Sequence, residues 1–227
     1  MKEPVSMNFR LVVLLLFAVP AFSQQPNARL HETLERLDKA SAHFTSAQAE
    51  FKKDLYDHVV RDTETQNGKV YFLRQQAATE FGMLLLTLSG APERIAEYKN
   101  GTVKDFNPKT ACYSAVHASA GKIETFLTLG FGGSGKDLDK SWSIKDVGPE
   151  KIDGVTTEHL DLEPRDADVK ANLKSVSLWI DLDRDVSLKQ VFHTSSGDTQ
   201  TAIYSNIRLN QKVDTKPFQF SGKPCGK

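Results

Sequence analysis

From Asn27 onward, apolar residues recur at steps of three and four: Leu30, Leu34, Leu37 and, past Ser41, Phe44. That is one face of a helix, with Asn27 available as its N-cap. After Phe44 the period falls to two. Ala47, Ala49, Phe51, Lys53 and Leu55 then share one side of a strand. The polar stretch Arg61 to Asn67 reads as a hairpin connection closing at Asn67-Gly68. The next strand, Lys69 to Arg74, puts Val70, Phe72 and Arg74 on one face and Tyr71 and Leu73 on the other. Strand-like stretches follow at Thr79 to Leu88 and at Arg94 to Lys99. Asn100-Gly101 then joins the latter to Thr102 to Phe106, the strongest short-range hairpin signal in the chain. Asn107-Pro108-Lys109 is a further turn.

The last third alternates more cleanly. Val176, Leu178, Ile180 and Leu182 interleave with Ser175, Ser177, Trp179 and Asp181, and the strand ends at Asp183-Arg184-Asp185. Val186 to Thr194 and Thr199 to Leu209 complete a three-stranded meander, and Phe218 and Phe220 are the last paired apolar positions. Between the sheet-like regions, Ile123, Phe126, Leu127 and Gly130 have helical spacing with Ser119 as cap, and Ala167 to Leu173 reads as a short helix. The pattern predicts a mainly β (α+β) chain of one N-terminal helix, about ten antiparallel strands and one or two inserted helices.

The first 23 residues stand apart. Lys2 and Arg10 precede the apolar run Leu11 to Val19, then Pro20 and the small-residue stretch Ala21-Phe22-Ser23. This is the pattern of a secretory signal peptide cleaved after Ser23; a retained anchor is the other reading. One domain over residues 24–227 is expected, exported to the periplasm. Its two cysteines, Cys112 and Cys225, are then either a disulfide or two unpaired thiols.

Composition narrows the function. With 29 Lys+Arg against 29 Asp+Glu the formal charge is zero, and no basic stripe is present. A nucleic-acid partner is therefore not expected. Gly130-Phe131-Gly132-Gly133-Ser134-Gly135-Lys136 matches two phosphate-binding patterns, but Asp137 stands where a P-loop needs Ser or Thr, and no parallel βαβ unit surrounds it. A glycine-rich hinge or lid edge is the better reading. The same motif falls short of a nucleophile elbow, because Lys136 stands where G-x-S-x-G requires glycine. His31, His43, His58, His117, His159 and His193 have no metal-ligand spacing. Asn100-Gly101-Thr102 is formally a glycosylation sequon as well as a hairpin turn. Neither cofactor nor catalytic group is expected. Arg74 is the informative charge: on the parity of Val70 and Phe72, a guanidinium facing inward needs acceptors for its donors, and facing outward it is an ordinary surface residue.

The order of these parts resembles the periplasmic outer-membrane lipoprotein carriers, the LolA-like family. The similarity runs from about Leu30 to Phe220. Its pieces are the helix leading into Ala47-Gln48-Ala49-Glu50-Phe51, then Gly68-Lys69-Val70-Tyr71-Phe72-Leu73-Arg74, Tyr98-Lys99-Asn100-Gly101 with Phe106-Asn107-Pro108, Leu178-Trp179-Ile180-Asp181, Asn210, and Pro217-Phe218-Gln219-Phe220. The chain departs from the family at Gln75-Gln76, where proline is usual, in the leucine-rich Gly82 to Ser89, and in its cysteines.

The resemblance implies an incomplete antiparallel β-barrel with an N-terminal helix and an inserted helical lid, near Ser119 to Leu138, enclosing an apolar cavity. Arg74 falls on the family's lid-tying arginine, and Phe51, Val70, Phe72, Ile123, Phe126 and Leu127 become cavity and lid residues. Burying about fifteen methylenes of an acyl chain at ~0.8 kcal/mol each supplies on the order of 12 kcal/mol before association costs. The function implied is a soluble periplasmic carrier, a monomer, that takes acyl chains of a lipid-modified protein or another envelope lipid toward the outer membrane. Transfer partners would sit at the inner and outer membranes. A LolA-like sensing or scaffolding module without delivery is the second reading, and an unrecognised hydrolase the third.

Overall fold

The computed structural model describes residues 26–75, 78–117, 126 and 128–226. Helix α1, Pro26–His43, is followed by β1 (Ser46–Asp57), β2 (Asp62–Gln75), β3 (Ala78–Leu86), β4 (Pro92–Lys99), β5 (Thr102–Asn107) and β6 (Cys112–His117). Then come helix α2 (Gly135–Ser141), β7 (Trp142–Ile152), β8 (Val155–Pro164), helix α3 (Ala167–Lys170), β9 (Leu173–Asp181), β10 (Val186–Thr194), β11 (Thr199–Leu209), a 3₁₀ turn (Lys216–Phe218) and β12 (Lys223–Pro224). All twelve strands form one sheet, in the order β12-β6-β5-β4-β3-β2-β1-β11-β10-β9-β8-β7. Every pairing is antiparallel except the two-residue β12–β6 contact. The result is the open half-barrel that the resemblance implies.

Both faces of the sheet are covered, by different parts of the chain. On the inner face, Leu30, Leu34 and Leu37 of α1 pack with Leu138 and Trp142 onto Leu160, Leu162, Val176, Leu178 and Ile180. On the outer face, Tyr71, Leu84, Ile95 and Phe106 are covered by the segment after β11. Phe218 meets Tyr71 edge-on at 4.8 Å, and Phe220 stacks on Phe106 at 4.7 Å. These two phenylalanines are thus a cover laid across the sheet, not a strand pair. A disulfide between Cys112 and Cys225 fastens the end of that cover to β6.

Two sequence expectations are corrected. Arg61 to Asn67 is no connection: the chain turns at residues 58–61, where Asp57 Oδ1 accepts from the Val59 and Val60 amides, and residues 62–67 already belong to β2. Their polarity reflects a hairpin end exposed on both faces. Asn67-Gly68 lies mid-strand, opposite Lys52 and Phe51. Gly130 sits in a turn at φ +74°, four residues after the helical Phe126, and Gly135-Lys136 open α2 behind the N-cap Ser134.

Gly68 is a packing glycine. A Cβ there would lie 2.3 Å from the Leu84 carbonyl oxygen and 2.5 Å from the Phe51 ring. Gly68→Ala is expected to destabilise the protein by about 1–3 kcal/mol through overpacking, read as a lower denaturation midpoint with unchanged slope. A midpoint equal to the parent's would mean that the Phe51 ring and the β3 backbone yield freely.

Candidate functional site

The inner face between β1, β2 and β3 is built from Ala47, Ala49, Phe51, Val70 and Phe72, all buried, with Phe81, Met83 and Leu85 beside them. Register makes it so. Ala47 lies opposite Phe72, Ala49 opposite Val70 and Phe51 opposite Gly68, so one parity of β1 and β2 forms a continuous apolar surface. Phe44, at the end of α1, closes one side.

Phe131 fills this surface. It is fully buried, stacks on Phe72 at 4.8 Å with planes 13° apart, and meets Tyr204 edge-on at 4.9 Å. The glycines around it explain how an aromatic ring enters so deeply. Gly130 and Gly132 both have positive φ, and side chains there would strike Ser187 and the Phe44 ring. Three carbonyls of the same short segment are gripped from the sheet and α1. Gln190 Nε2 donates to Leu129 O at 2.6 Å, the Ser187 amide to Gly130 O at 2.9 Å, and Ser41 Oγ to Gly132 O at 2.8 Å.

Arg74 completes the grip. Its Nη2 donates to Gly132 O at 2.6 Å, its Nη1 donates to Ser41 O at 2.6 Å, and its guanidinium lies 5.2 Å from the centre of the Phe44 ring. It therefore joins three parts of the chain: the last turn of α1, the Phe131 segment and the sheet. Its parity is the inner one, and its acceptors are backbone carbonyls, one of them in the last turn of α1, where Ser41 O otherwise accepts only from the Phe44 amide at 3.3 Å.

The residues singled out from sequence thus divide. Phe51, Val70, Phe72 and Arg74 come together. Phe126 packs elsewhere, edge-on to Trp142 at 5.6 Å in the cluster under α1. Ile123, Leu127 and the Ser119 cap lie outside the described residues. Sequence reasoning missed Phe131, hidden in a glycine run read for backbone freedom alone.

Helix α1 is pinned along its length. Lys136 N donates to Asp38 Oδ1, Arg36 reaches Leu182 O and Asp185, and Arg29 Nε lies 2.8 Å from both Asp146 Oδ2 and Glu158 Oε1. The last two carboxyls are almost wholly buried, at 2% and 4% side-chain exposure. Desolvation, then the hydrogen bond and negative charge of Asp146, push the Glu158 carboxyl up to about 7 against the pull of Arg29. Folded protein therefore holds a proton between about pH 4.5 and 7 that the unfolded chain has released. Stability from this site is full at low pH and is lost as pH rises through that window, by about 1–2 kcal/mol. Glu158→Gln should flatten the decline in unfolding free energy between pH 5 and 7.5. An equally steep decline in the variant would assign it to other groups.

Nearest to a metal constellation among the described residues are Asp57, His58 and Asp198, whose ligand atoms lie within 4.8 Å of one another. Asp57 Oδ1 and Asp198 Oδ1 are already used on turn amides, including that of His58 at 3.0 Å. The group is a pair of capped turns. No described helix is long and apolar enough to cross a membrane.

No family model and no curated protein matches this sequence. Solved structures do match. An uncharacterized conserved protein from Thermus thermophilus is 12% identical over 86% of this chain and 98% of its own, with a TM-score of 0.54. MucB is 17% identical over 85% of this chain, with a TM-score of 0.51, and the match spans 62% of MucB. A LolA superfamily protein from Nitrosomonas europaea matches over 84% of this chain and 97% of its own at 14% identity, with a TM-score of 0.39. The first two carry the conclusion that this chain shares their fold.

Proposed function

We propose that the chain is a periplasmic carrier whose inner face, between β1, β2 and β3, shelters acyl chains of a lipid-modified protein or a free envelope lipid. The observation that carries this reading is Phe131. A single aromatic ring occupies the apolar surface on a segment gripped through its backbone carbonyls, so the ring can leave while the sheet stays intact. An acyl chain is its chemical equivalent there: apolar, and needing no partner for a polar atom. Arg74 is the latch. Its two bonds hold the segment down when no lipid is bound, and break when the segment lifts. The reading needs no catalytic residue.

A second reading, a sensing or scaffolding module, takes support from MucB, which has been solved in complex with MucA. Purification from the envelope under mild conditions, followed by native mass spectrometry and lipid extraction, separates the two. Stoichiometric acyl lipid is the expected result. A preparation that is empty, and that also fails to take up an added acyl probe, would leave only the second.

A further inference from the structure

Two residues beyond Phe51 on the same face of β1 stands Lys53, opposite Gln66 of β2 and Ala202 of β11. Its neighbour Lys52 points the other way and lies 3.7 Å from Asp54. Lys53 is half-buried, and its ammonium has neither an ion-pair nor a hydrogen-bond partner among the described residues. Half of Gln66 is in the same condition: its Nε2 donates to Glu64, while its Oε1 is buried without a donor. An ammonium and an amide oxygen, each without a hydrogen-bond partner, thus stand on directly opposed residues at the end of an apolar surface. The other cation acting on Lys53 among the described residues is Arg94, which is occupied by Asp105 on the neighbouring strand.

We infer that Lys53, with Gln66 beside it, is the headgroup site for an anionic lipid, a carboxylate or phosphate carried on the acyl chain that lies along Phe51 and Phe72. This rests on the carrier reading above and names the class of lipid carried. Burial without a partner disfavours an ammonium, and it pushes Lys53 below the usual lysine range, with Glu64 opposing and Arg94 adding to the effect. An anion at this position removes that penalty and gains a charge-assisted hydrogen bond, about twice as strong as a neutral one. The Gln66 oxygen is left to accept from a headgroup hydroxyl. A neutral lipid of the same chain length obtains the apolar contact alone. The site therefore adds selection by charge to a surface that otherwise selects only by chain.

The competing arrangement is a lysine whose stem lies along Phe51 while its head reaches solvent. Displacement of a fluorescent acyl probe at pH 8 decides between them, with hexadecanoate, 1-monopalmitoylglycerol and inorganic phosphate as competitors. The parent should bind hexadecanoate at least about tenfold more tightly than the neutral glyceride. Lys53→Met should abolish that preference, while Lys53→Arg and the outward-facing Lys52→Met keep it. Equal affinities in the parent, or a preference that survives in Lys53→Met, would overturn the headgroup site and leave the carrier reading standing. Inorganic phosphate competing as well as hexadecanoate would make this a site for free anions and overturn the lipid assignment. A protein that binds neither the probe nor either acyl competitor loses both readings.

Discussion

Arg74→Leu is expected to slow release of a bound acyl probe by about ten- to a hundredfold. The substitution removes two 2.6 Å hydrogen bonds from a charged donor, to Ser41 O and Gly132 O. Such bonds contribute roughly 1.5 to 3 kcal/mol net, and here they favour only the state in which the Phe131 segment is seated. Without them the seated state competes less well against the lipid-filled one, and leucine also extends the apolar wall. The change falls on the off-rate, as most affinity changes at one site do. Lys69→Leu is the control, because Lys69 faces outward and pairs with Glu50 at 3.3 Å. Release from Arg74→Leu at the parent's rate, or shifted no more than the Lys69 control, would make Arg74 a structural tie between α1 and the sheet with no part in cargo exchange.

The other large effect is on stability. Replacing Cys112 and Cys225 together by serine opens a loop with a sequence separation of 113 residues. The chain-entropy account values such a crosslink at about 4–5 kcal/mol, which for a chain of this size lowers the melting temperature by on the order of 10 °C. Position adds to the loss. The bridge holds down the segment that lays Phe218 and Phe220 over Tyr71 and Phe106, and β12 contributes only two residues of pairing on its own. The double variant should therefore also bind a hydrophobic dye at temperatures where the parent does not. A melting temperature within about 2 °C of the parent's would show that the two phenylalanines hold the cover unaided.

How far the sequence reveals the fold depends on whether apolar and polar residue types alternate along a strand and turn residues bound it. Strands β9 and β10 are buried on both faces for much of their length, yet β9 is legible because its residue types alternate, Val176, Leu178 and Ile180 against Ser177, Trp179 and Asp181, and because the turns Asp183-Arg184-Asp185 and Ser195 to Asp198 mark where strands end. The β4–β5 turn is equally plain, since Asn100 and Gly101 both take the positive φ that such a turn demands. By contrast β7 and β8 pass unnoticed. Burial alternates along both, but in β7 the less exposed positions after Trp142 and Ile144 are Asp146 and Gly148, and in β8 the polar Thr157 and Glu158 are buried ahead of Leu160 and Leu162, so the apolar run in each is too short to mark a strand. β6 is mostly exposed and its pattern carries no burial signal. At the site, the parity of Val70, Phe72 and Arg74 marks Arg74 as inward. Its acceptors are main-chain carbonyls, and no side-chain pattern encodes those. Lys53 is visible on the parity of Phe51, but nothing in the sequence tells a half-buried unpaired lysine from an exposed one.

The place of β1 in the sheet bears on how the molecule forms. β1 is the central strand, with β2 on one side and β11 on the other. The contact that joins β1 to the C-terminal half is long-range: the Thr45 amide donates to Asn210 Oδ1 across 165 residues of chain. Strands β2 to β6 and β7 to β11 are two runs of local hairpins, each able to pair as soon as it emerges. Neither has a complete inner face until β1 meets β11. Closing so large a loop late makes the seam between the two halves the slow step, and the unsealed edges of β1 and β11 are exposed to other chains while it is pending. Refolding yield should accordingly fall as protein concentration rises, and the residues most exposed to mispairing are those of the seam itself, Ala47 to Tyr56 and Thr199 to Leu209.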